Sequence, residues 1–416
     1  MRTPFGAFIF VAILLLVDLY AFQAFRAVSI NSSSRTKTII NIIYWTVTVL
    51  AIATFLTLAF SRMDFMPKPV RNTLFAIIIG LFLAKLTMVF FVLIDDIRRL
   101  FQWIILKIMY SAKNVDTAET EGITRSAFLS WFSLAAGTTL FGSLLYGFSN
   151  KYKYHINKVQ LAFDNLPAGF KGLKIVQISD VHSGSFTDAR AVELGVEKIL
   201  REKPDLILFT GDLVNDMAIE MDDYHQIFGR LKAPLGVYST LGNHDYGDYV
   251  RWPQDGLTKE QNLENLKAVH ANMGWRLLMN EHVPLERNGD KIALLGIENW
   301  SAKGRFPKHG RLDLAHKDTH TYPFKILMSH DPSHWEAQVQ PHYSDIDLML
   351  SGHTHGMQFG IEVPGFKWSP VQYMYKQWAG LYENEKQKLY VNRGFGFIGY
   401  PGRVGILPEI TVIELV

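Results

Sequence analysis

Two patterns of hydrophobic positions divide the chain. Before Asn150 the apolar residues form unbroken runs of membrane-spanning length, whereas after it they form short runs, each closed by a polar cluster. No charged residue occurs between Thr38 and Ser61, and the stretch from Ile39 to Phe60 is enough to cross about 30 Å of hydrocarbon as a helix. Residues 5–25, 73–94 and 127–148 have the same character, the first carrying Asp18 and the third span carrying Lys85. Residues 1–150 are therefore predicted to form a bundle of about four transmembrane helices. The stretch 5–25 is longer than the apolar core of a secretory signal and has no small-residue cleavage site, so it is read as a span.

Charge inside hydrocarbon is costly unless it is paired or near the headgroups. The reading preferred from sequence is an interfacial Asp18 with Lys85 snorkelling to the surface; a helix-to-helix ion pair is the alternative. The segment 95–110, DDIRRLFQWIILKIMY, either lies in the interface or extends the third helix. Loop cations set the orientation. Arg26, Arg35, Lys37, Arg98, Arg99, Lys107, Lys113 and Arg125 stand on one side, and Arg2, Arg62, Lys68, Arg71, Lys151, Lys153 and Lys158 on the other. The Arg98/Arg99 pair beside a span favours a cytoplasmic third loop, with the N-terminus and the C-terminal half outside.

From Lys174 onward one unit recurs: KIVQISD, LILFTGD, GVYSTLGNHD, KIALLGIEN, FKILMSHD and LMLSGHTHG. Short apolar runs rich in β-branched residues predict buried strands, and residues 189–203 and 259–273 have helical spacing between some of them. The expected architecture of 151–416 is α/β, sheets covered by helices, with polar clusters at the carboxyl ends of the strands.

Composition narrows the chemistry. The 416 residues suggest two or three structural units, and 48% hydrophobic content excludes a disordered chain. Residues 1–150 hold 13 of the 42 Lys/Arg, 7 of the 39 Asp/Glu and none of the 14 His, so the C-terminal part is slightly acidic. It has no long basic run, which argues against nucleic acid as a partner. With no cysteine, disulfides, thiolate metal sites and thiol nucleophiles are all excluded.

The strand-end clusters supply Asp180 and His182, Asp212, then Asn243, His244 and Asp245, then His330, then His353 and His355. Alternate residues of a strand project to one side, which would bring Asp180 to His182 and His353 to His355. The donors are nitrogen and oxygen without sulfur, suited to Mn, Fe, Zn or Mg. Two divalent cations about 3.5–4 Å apart, with Asp212 shared, would use Asp180, His182, Asp212, Asn243, His330, His353 and His355. His244 remains to act on substrate, and Asp245 is expected to hold its imidazole. The other histidines, 225, 270, 282, 309, 316, 320, 334 and 342, lack a strand-end setting and are read as surface or structural residues.

This ordered set, D-x-H, G-D, G-N-H-D, H and G-H-T-H, resembles the calcineurin-like metallophosphoesterase family over roughly Lys174 to Val416. The resemblance implies a fold of two packed mixed β-sheets flanked by helices. It assigns Asp180, His182 and His355 to one metal, Asn243, His330 and His353 to the other, and Asp212 to both. It also implies that a metal-bound hydroxide attacks phosphorus while His244 donates a proton to the leaving group. The match is nearest to a membrane-anchored bacterial branch. Residues 124–129, TRSAFL, resemble that branch's twin-arginine signal with Ser126 in place of the second arginine, and Met357 stands where the branch usually has glycine. The catalytic part is accordingly expected outside the cytoplasm, at a bacterial plasma membrane.

The function so implied is hydrolysis of phosphodiester or pyrophosphate bonds in a phosphorylated small-molecule or lipid-linked substrate, a UDP-diacylglucosamine-type pyrophosphatase being one form of it. A membrane receptor or transporter with a phospho-ligand-binding domain is the alternative from another class. Arg393 is read as structural rather than phosphate-binding, and Trp252, Trp368, Tyr373, Tyr375 and Trp378 as core residues before an apolar rim.

Overall fold

The computed structural model describes residues 4–60, 66–112, 124–253, 256–304 and 306–416. Arg2, Arg62 and Lys113, three of the loop cations weighed for orientation, lie outside the described residues. The chain divides into two compact units, Met1–Tyr146 and Gly147–Val416.

In the first unit, helices α1 (Pro4–Val28), α2 (Ser34–Phe60), α3 (Lys68–Ala112) and α4 (Ala127–Gly147) are each long and apolar enough to cross a membrane. Residues 95–110 extend the third helix. Asp95 and Asp96 pair there with Arg98 and Arg99 one turn on, and with Ser126 and Arg125 at the start of α4.

The structure departs from the preferred reading of Asp18 and Lys85. They form a direct ion pair between α1 and α3, and Asp18 is 3% exposed and Lys85 6%. Tyr44 and Thr48 of α2 complete the cluster. The Tyr44 hydroxyl donates to Asp18 Oδ1 at 3.0 Å, Thr48 Oγ1 donates to the same oxygen at 2.9 Å, and Lys85 Nζ donates to Thr48 Oγ1 at 3.1 Å. Lys85 sits midway along the apolar part of α3, too deep for its side chain to reach headgroups. Pairing with the Asp18 carboxylate and the Thr48 hydroxyl is the remaining way to satisfy it in hydrocarbon.

The second unit is two six-stranded mixed sheets. One has the order β1 (His155–Leu161), β14 (Glu409–Leu415), β2 (Leu173–Ile178), β3 (Leu206–Phe209), β4 (Val237–Ser239) and β5 (Arg276–Leu277). The other runs β12 (Gly380–Asn384), β13 (Gln387–Val391), β9 (Leu348–Ser351), β8 (Lys325–Met328), β7 (Asp290–Gly296) and β6 (Glu281–Arg287). A two-stranded hairpin, β10 (Ile361–Val363) and β11 (Phe366–Trp368), stands apart.

Strand alternation builds the layers. Ile175, Leu206 and Leu208 pack with Ile292, Leu294, Ile326 and Leu348 between the sheets. Their neighbours Val176, Ile178, Ile207 and Phe209 face Val192, Val196 and Leu266 of the outer helices α5 (Ala189–Arg201) and α6 (Lys259–Asn272). Strands buried on both faces read as continuous apolar runs, which is why the six units were visible in sequence. β2, β3 and β4 are parallel, as are β7, β8 and β9, so each group delivers its following loops to one edge.

Candidate metal centre

Asp180 and His182 follow β2, Asp212 follows β3, Asn243 follows β4, His330 follows β8, and His353 and His355 follow β9. The two-residue spacings act differently from the strand alternation expected. All four of these residues lie beyond their strands, and Asp180, His182, His353 and His355 adopt left-handed backbone with φ of 54°, 48°, 73° and 51°. Asp212 is a fifth, at φ 60°. This conformation costs an L-residue roughly 1–2 kcal/mol. It is held by loop-to-loop bonds such as Asp180 N to Gly211 O at 2.9 Å and Val181 N to Asp212 O at 2.8 Å. Strain gathered on the candidate ligands marks a site whose geometry the surrounding fold imposes.

Two glycines let the ligands pack this closely. A Cβ on Gly352 would lie 2.1 Å from Asp180 Oδ2, and one on Gly242 would lie 2.2 Å from Asp212 Oδ1.

The seven side chains converge. The ligand atoms of Asp180, His182 and His355 lie within 4.8 Å of one another, and those of Asp212, His330 and His353 form a second such group. Asp212 Oδ2 is 3.5 Å from His182 Nε2 and 3.1 Å from His330 Nε2, so it touches both groups. His353 Nδ1 is 3.3 Å from His330 Nε2. Asn243 borders the same cavity of about 240 Å³, together with His182, Asp212, His353 and His355.

The arrangement fits divalent cations. Both ring nitrogens of His182 and Oδ1 of Asn243 are buried without a hydrogen-bond partner, a cost that a coordinated ion removes. Burial lowers the pKa of His182, His353 and His355, keeping these rings neutral as ligands must be. Burial alone would raise Asp180, but the imidazoles of His355 and His330 reverse that and hold the carboxyl well below its usual range. Burial likewise opposes ionisation of Asp212, and the facing His330 and His244 reverse that. His330 is lowered by burial, yet the Asp212 carboxylate beside it pushes it up to about 10, so in the metal-free protein it carries a proton that a cation must displace.

One expected role needs correction. Asp245 does not hold the His244 ring. Its carboxylate accepts the backbone N–H groups of Asp212 at 2.9 Å, Leu213 at 2.8 Å, Val214 at 3.3 Å and Gly242 at 2.8 Å, fixing the Asp212 loop against the Asn243 turn. Burial and the charge of Asp212 raise Asp245 to about 7. The His244 ring is held by the carbonyl of Asn215, 2.8 Å from Nδ1, and packs against the rings of His182 and Tyr249. In so tight a turn a carboxylate next in sequence faces back into the loop, away from its neighbour's ring.

Several supporting residues carry no signal in the sequence. The Tyr249 hydroxyl accepts Nδ2 of Asn243 at 2.9 Å, which turns Oδ1 away and leaves it to a cation. Tyr375 is buried with its hydroxyl 2.9 Å from His353 Nε2 and donates to Asp331 Oδ2 at 3.2 Å, so His353 presents Nδ1 to the centre. Fully buried Arg403 donates to the carbonyl of Arg393 at 2.7 Å and lies 3.2 Å from His355 Nδ1. Arg393 itself is structural, as expected, bonded to Glu409 at 2.6 Å and paired with Glu362. His270 and His334 lie in the core, His334 between Ser329 and Gln338. Trp378 is also buried, whereas Tyr373 is 78% exposed. Met357 is 52% exposed and lines the cavity.

Residues 1–151 match the family described as probable calcineurin-like phosphoesterase, transmembrane domain, and residues 173–357 match calcineurin-like phosphoesterase. The chain is similar to a transmembrane protein with metallophosphoesterase domain from Danio rerio, 31% identical over 266 residues, covering 62% of this chain and 56% of that protein. Metallophosphoesterase YkuE of Bacillus subtilis is 29% identical over 292 residues, covering 68% of this chain and 93% of the relative. UDP-2,3-diacylglucosamine pyrophosphatase LpxG of Chlamydia trachomatis is 28% identical over 323 residues, covering 65% of this chain and 93% of that enzyme.

Proposed function

This chain belongs to the calcineurin-like metallophosphoesterase family, and from that premise we propose that it is a membrane-anchored phosphohydrolase cleaving phosphodiester or pyrophosphate bonds with two divalent cations, Mn, Fe, Zn or Mg. The observation that carries the reading is the pair of buried, unsatisfied ligands, His182 and Asn243, facing a cavity shared with Asp212, His353 and His355, with Asp180 and His330 grouped beside them. Asp180, His182 and His355 would hold one cation, Asn243, His330 and His353 the other, and Asp212 both. Such ions lower the pKa of water and neutralise phosphate charge.

The chain's own residues supply the remainder. The Asn215 carbonyl keeps a proton on His244 Nδ1, leaving Nε2 to exchange one with the leaving oxygen. Asp245 holds the Asp212 loop in place through four backbone N–H groups. Tyr249 and Tyr375 fix which atoms of Asn243 and His353 face the cations.

Four spans and a pyrophosphatase relative support a lipid-linked substrate, met in two dimensions within the membrane. Bacterial relatives support a bacterial plasma membrane, and Arg98 and Arg99 beside the third span support placing the catalytic unit outside the cytoplasm.

Full-length protein stripped with EDTA tests this reading. Hydrolysis of bis(p-nitrophenyl) phosphate should vanish with the metal and return on adding Mn²⁺. Protein that rebinds Mn²⁺, Zn²⁺, Fe²⁺ or Mg²⁺ yet hydrolyses neither this ester nor a pyrophosphate would instead be a phospho-ligand receptor.

A further inference from the structure

The β10–β11 hairpin has one apolar and one charged face. Cross-strand pairs Ile361 with Trp368 and Val363 with Phe366 put these four side chains on one face, and Glu362 paired with Lys367 puts the two charges on the other. Both charges are tied to the domain while staying partly exposed: Glu362 bonds the buried Arg393, Nε to Oε2 at 2.9 Å, and Lys367 Nζ donates to the Ala379 carbonyl at 2.6 Å. The apolar face is left outward, with Ile361 51%, Val363 53% and Phe366 56% exposed.

The exposed face continues to the mouth of the metal centre. Trp368 Nε1 lies 3.5 Å from the hydroxyl of Tyr373, and next to Tyr373 in the chain Met374 is 45% exposed. Met374 and Met357 both line the cavity that the candidate ligands border.

We propose that this face docks on the bilayer interface, so that the mouth of the metal centre opens where lipid headgroups are met. Three observations select a lipid surface as the occupant. The face mixes aliphatic side chains with Phe, Trp and Tyr, the composition that settles at headgroup depth. The hairpin's one acidic side chain, Glu362, lies on its other face and is paired with Arg393, so no unpaired carboxylate opposes an anionic membrane there. The same chain carries four helices able to cross a membrane, which keeps a bilayer at high effective concentration and makes a weak apolar contact sufficient. Exposed apolar area of this kind is otherwise disfavoured in water.

The chain has no cysteine, so single labels can be placed without background. Full-length protein in nanodiscs containing doxyl-labelled phosphatidylcholine is labelled with an environment-sensitive fluorophore at Val363→Cys or Phe366→Cys, and at Glu264→Cys on α6 as control. Quenching should be several-fold stronger at the hairpin than at the control. Equal quenching overturns the proposal. So does a blue-shifted label that lipid does not quench, since it would place the hairpin against protein, whether a second copy or the chain's own helices.

A second arm rests on the hydrolytic reading. The Ile361→Ser/Val363→Ser/Phe366→Ser protein should lose about tenfold on a phosphodiester lipid in vesicles through lost surface contact, with hydrolysis of soluble bis(p-nitrophenyl) phosphate unchanged. Equal rates on both substrates, or equal losses, contradict docking. If the wild-type protein hydrolyses neither, the enzymatic reading fails, and quenching still decides the docking surface.

Discussion

The Asp212→Asn protein is expected to lose more than about a hundredfold in hydrolysis and to retain fewer bound cations than wild type, because changes even one layer out from a metal cost about 10–100-fold. Asp212 touches both ligand groups through Oδ2, and its Oδ1 accepts the His244 backbone N–H at 2.9 Å. The amide keeps the shape and can keep that second bond, so the fold should survive. What disappears is a charge. That charge raises both His330 and Asp245, so without it His330 should release its proton at lower pH, visible in the imidazole NMR signals of the metal-free protein. Elemental analysis and steady-state rates supply the other readouts. Full metal content with full activity would remove Asp212 from the centre.

The second large effect lies in the transmembrane unit. Lys85→Met leaves the Asp18 carboxylate without its cation, and Asp18→Asn leaves Lys85 without its anion, each at a position under a tenth exposed. Breaking one side of a buried pair costs about 3–5 kcal/mol, whereas removing both charges together is often close to neutral. Each single change should therefore lower thermal stability in nanodiscs sharply, and Asp18→Asn/Lys85→Met should recover most of the loss. Additive effects in the double variant, or single variants as stable as wild type, would mean that the two charges do not depend on each other.

This pair also shows how far the sequence was legible. The charges and their similar depth were plain, but which helix faces met was not. A snorkelling lysine and an inter-helix ion pair have the same sequence, and only the packing of α1 on α3, with Tyr44 and Thr48 from α2, separates them. The catalytic unit was more readable. Parallel strands covered on both faces leave continuous apolar runs, and the fold puts its ligands where those runs stop, so KIVQISD or LMLSGHTHG announces a strand and a ligand together.

Beyond the strand ends the legibility faded, because side-chain direction there depends on backbone that strand periodicity does not describe. Asp180 and His182 converge through left-handed residues rather than by alternation, and Asp245 turns back onto backbone N–H groups. Arg403 lies in a GRVG segment indistinguishable from a surface loop, yet it is fully buried against His355. The hairpin's attachment was hidden for the same reason. Alternation in IEV and FKW gives two faces, and only Arg393 and the Ala379 carbonyl decide which one bonds to the domain.

The central claim, that seven side chains from both sheets gather two cations, is tested most directly by anomalous diffraction from crystals grown with Mn²⁺. The account predicts two peaks about 3.5–4 Å apart, one among Asp180, His182 and His355, the other among Asn243, His330 and His353, with Asp212 in contact with both. A single peak, or none with these side chains ordered, would contradict it.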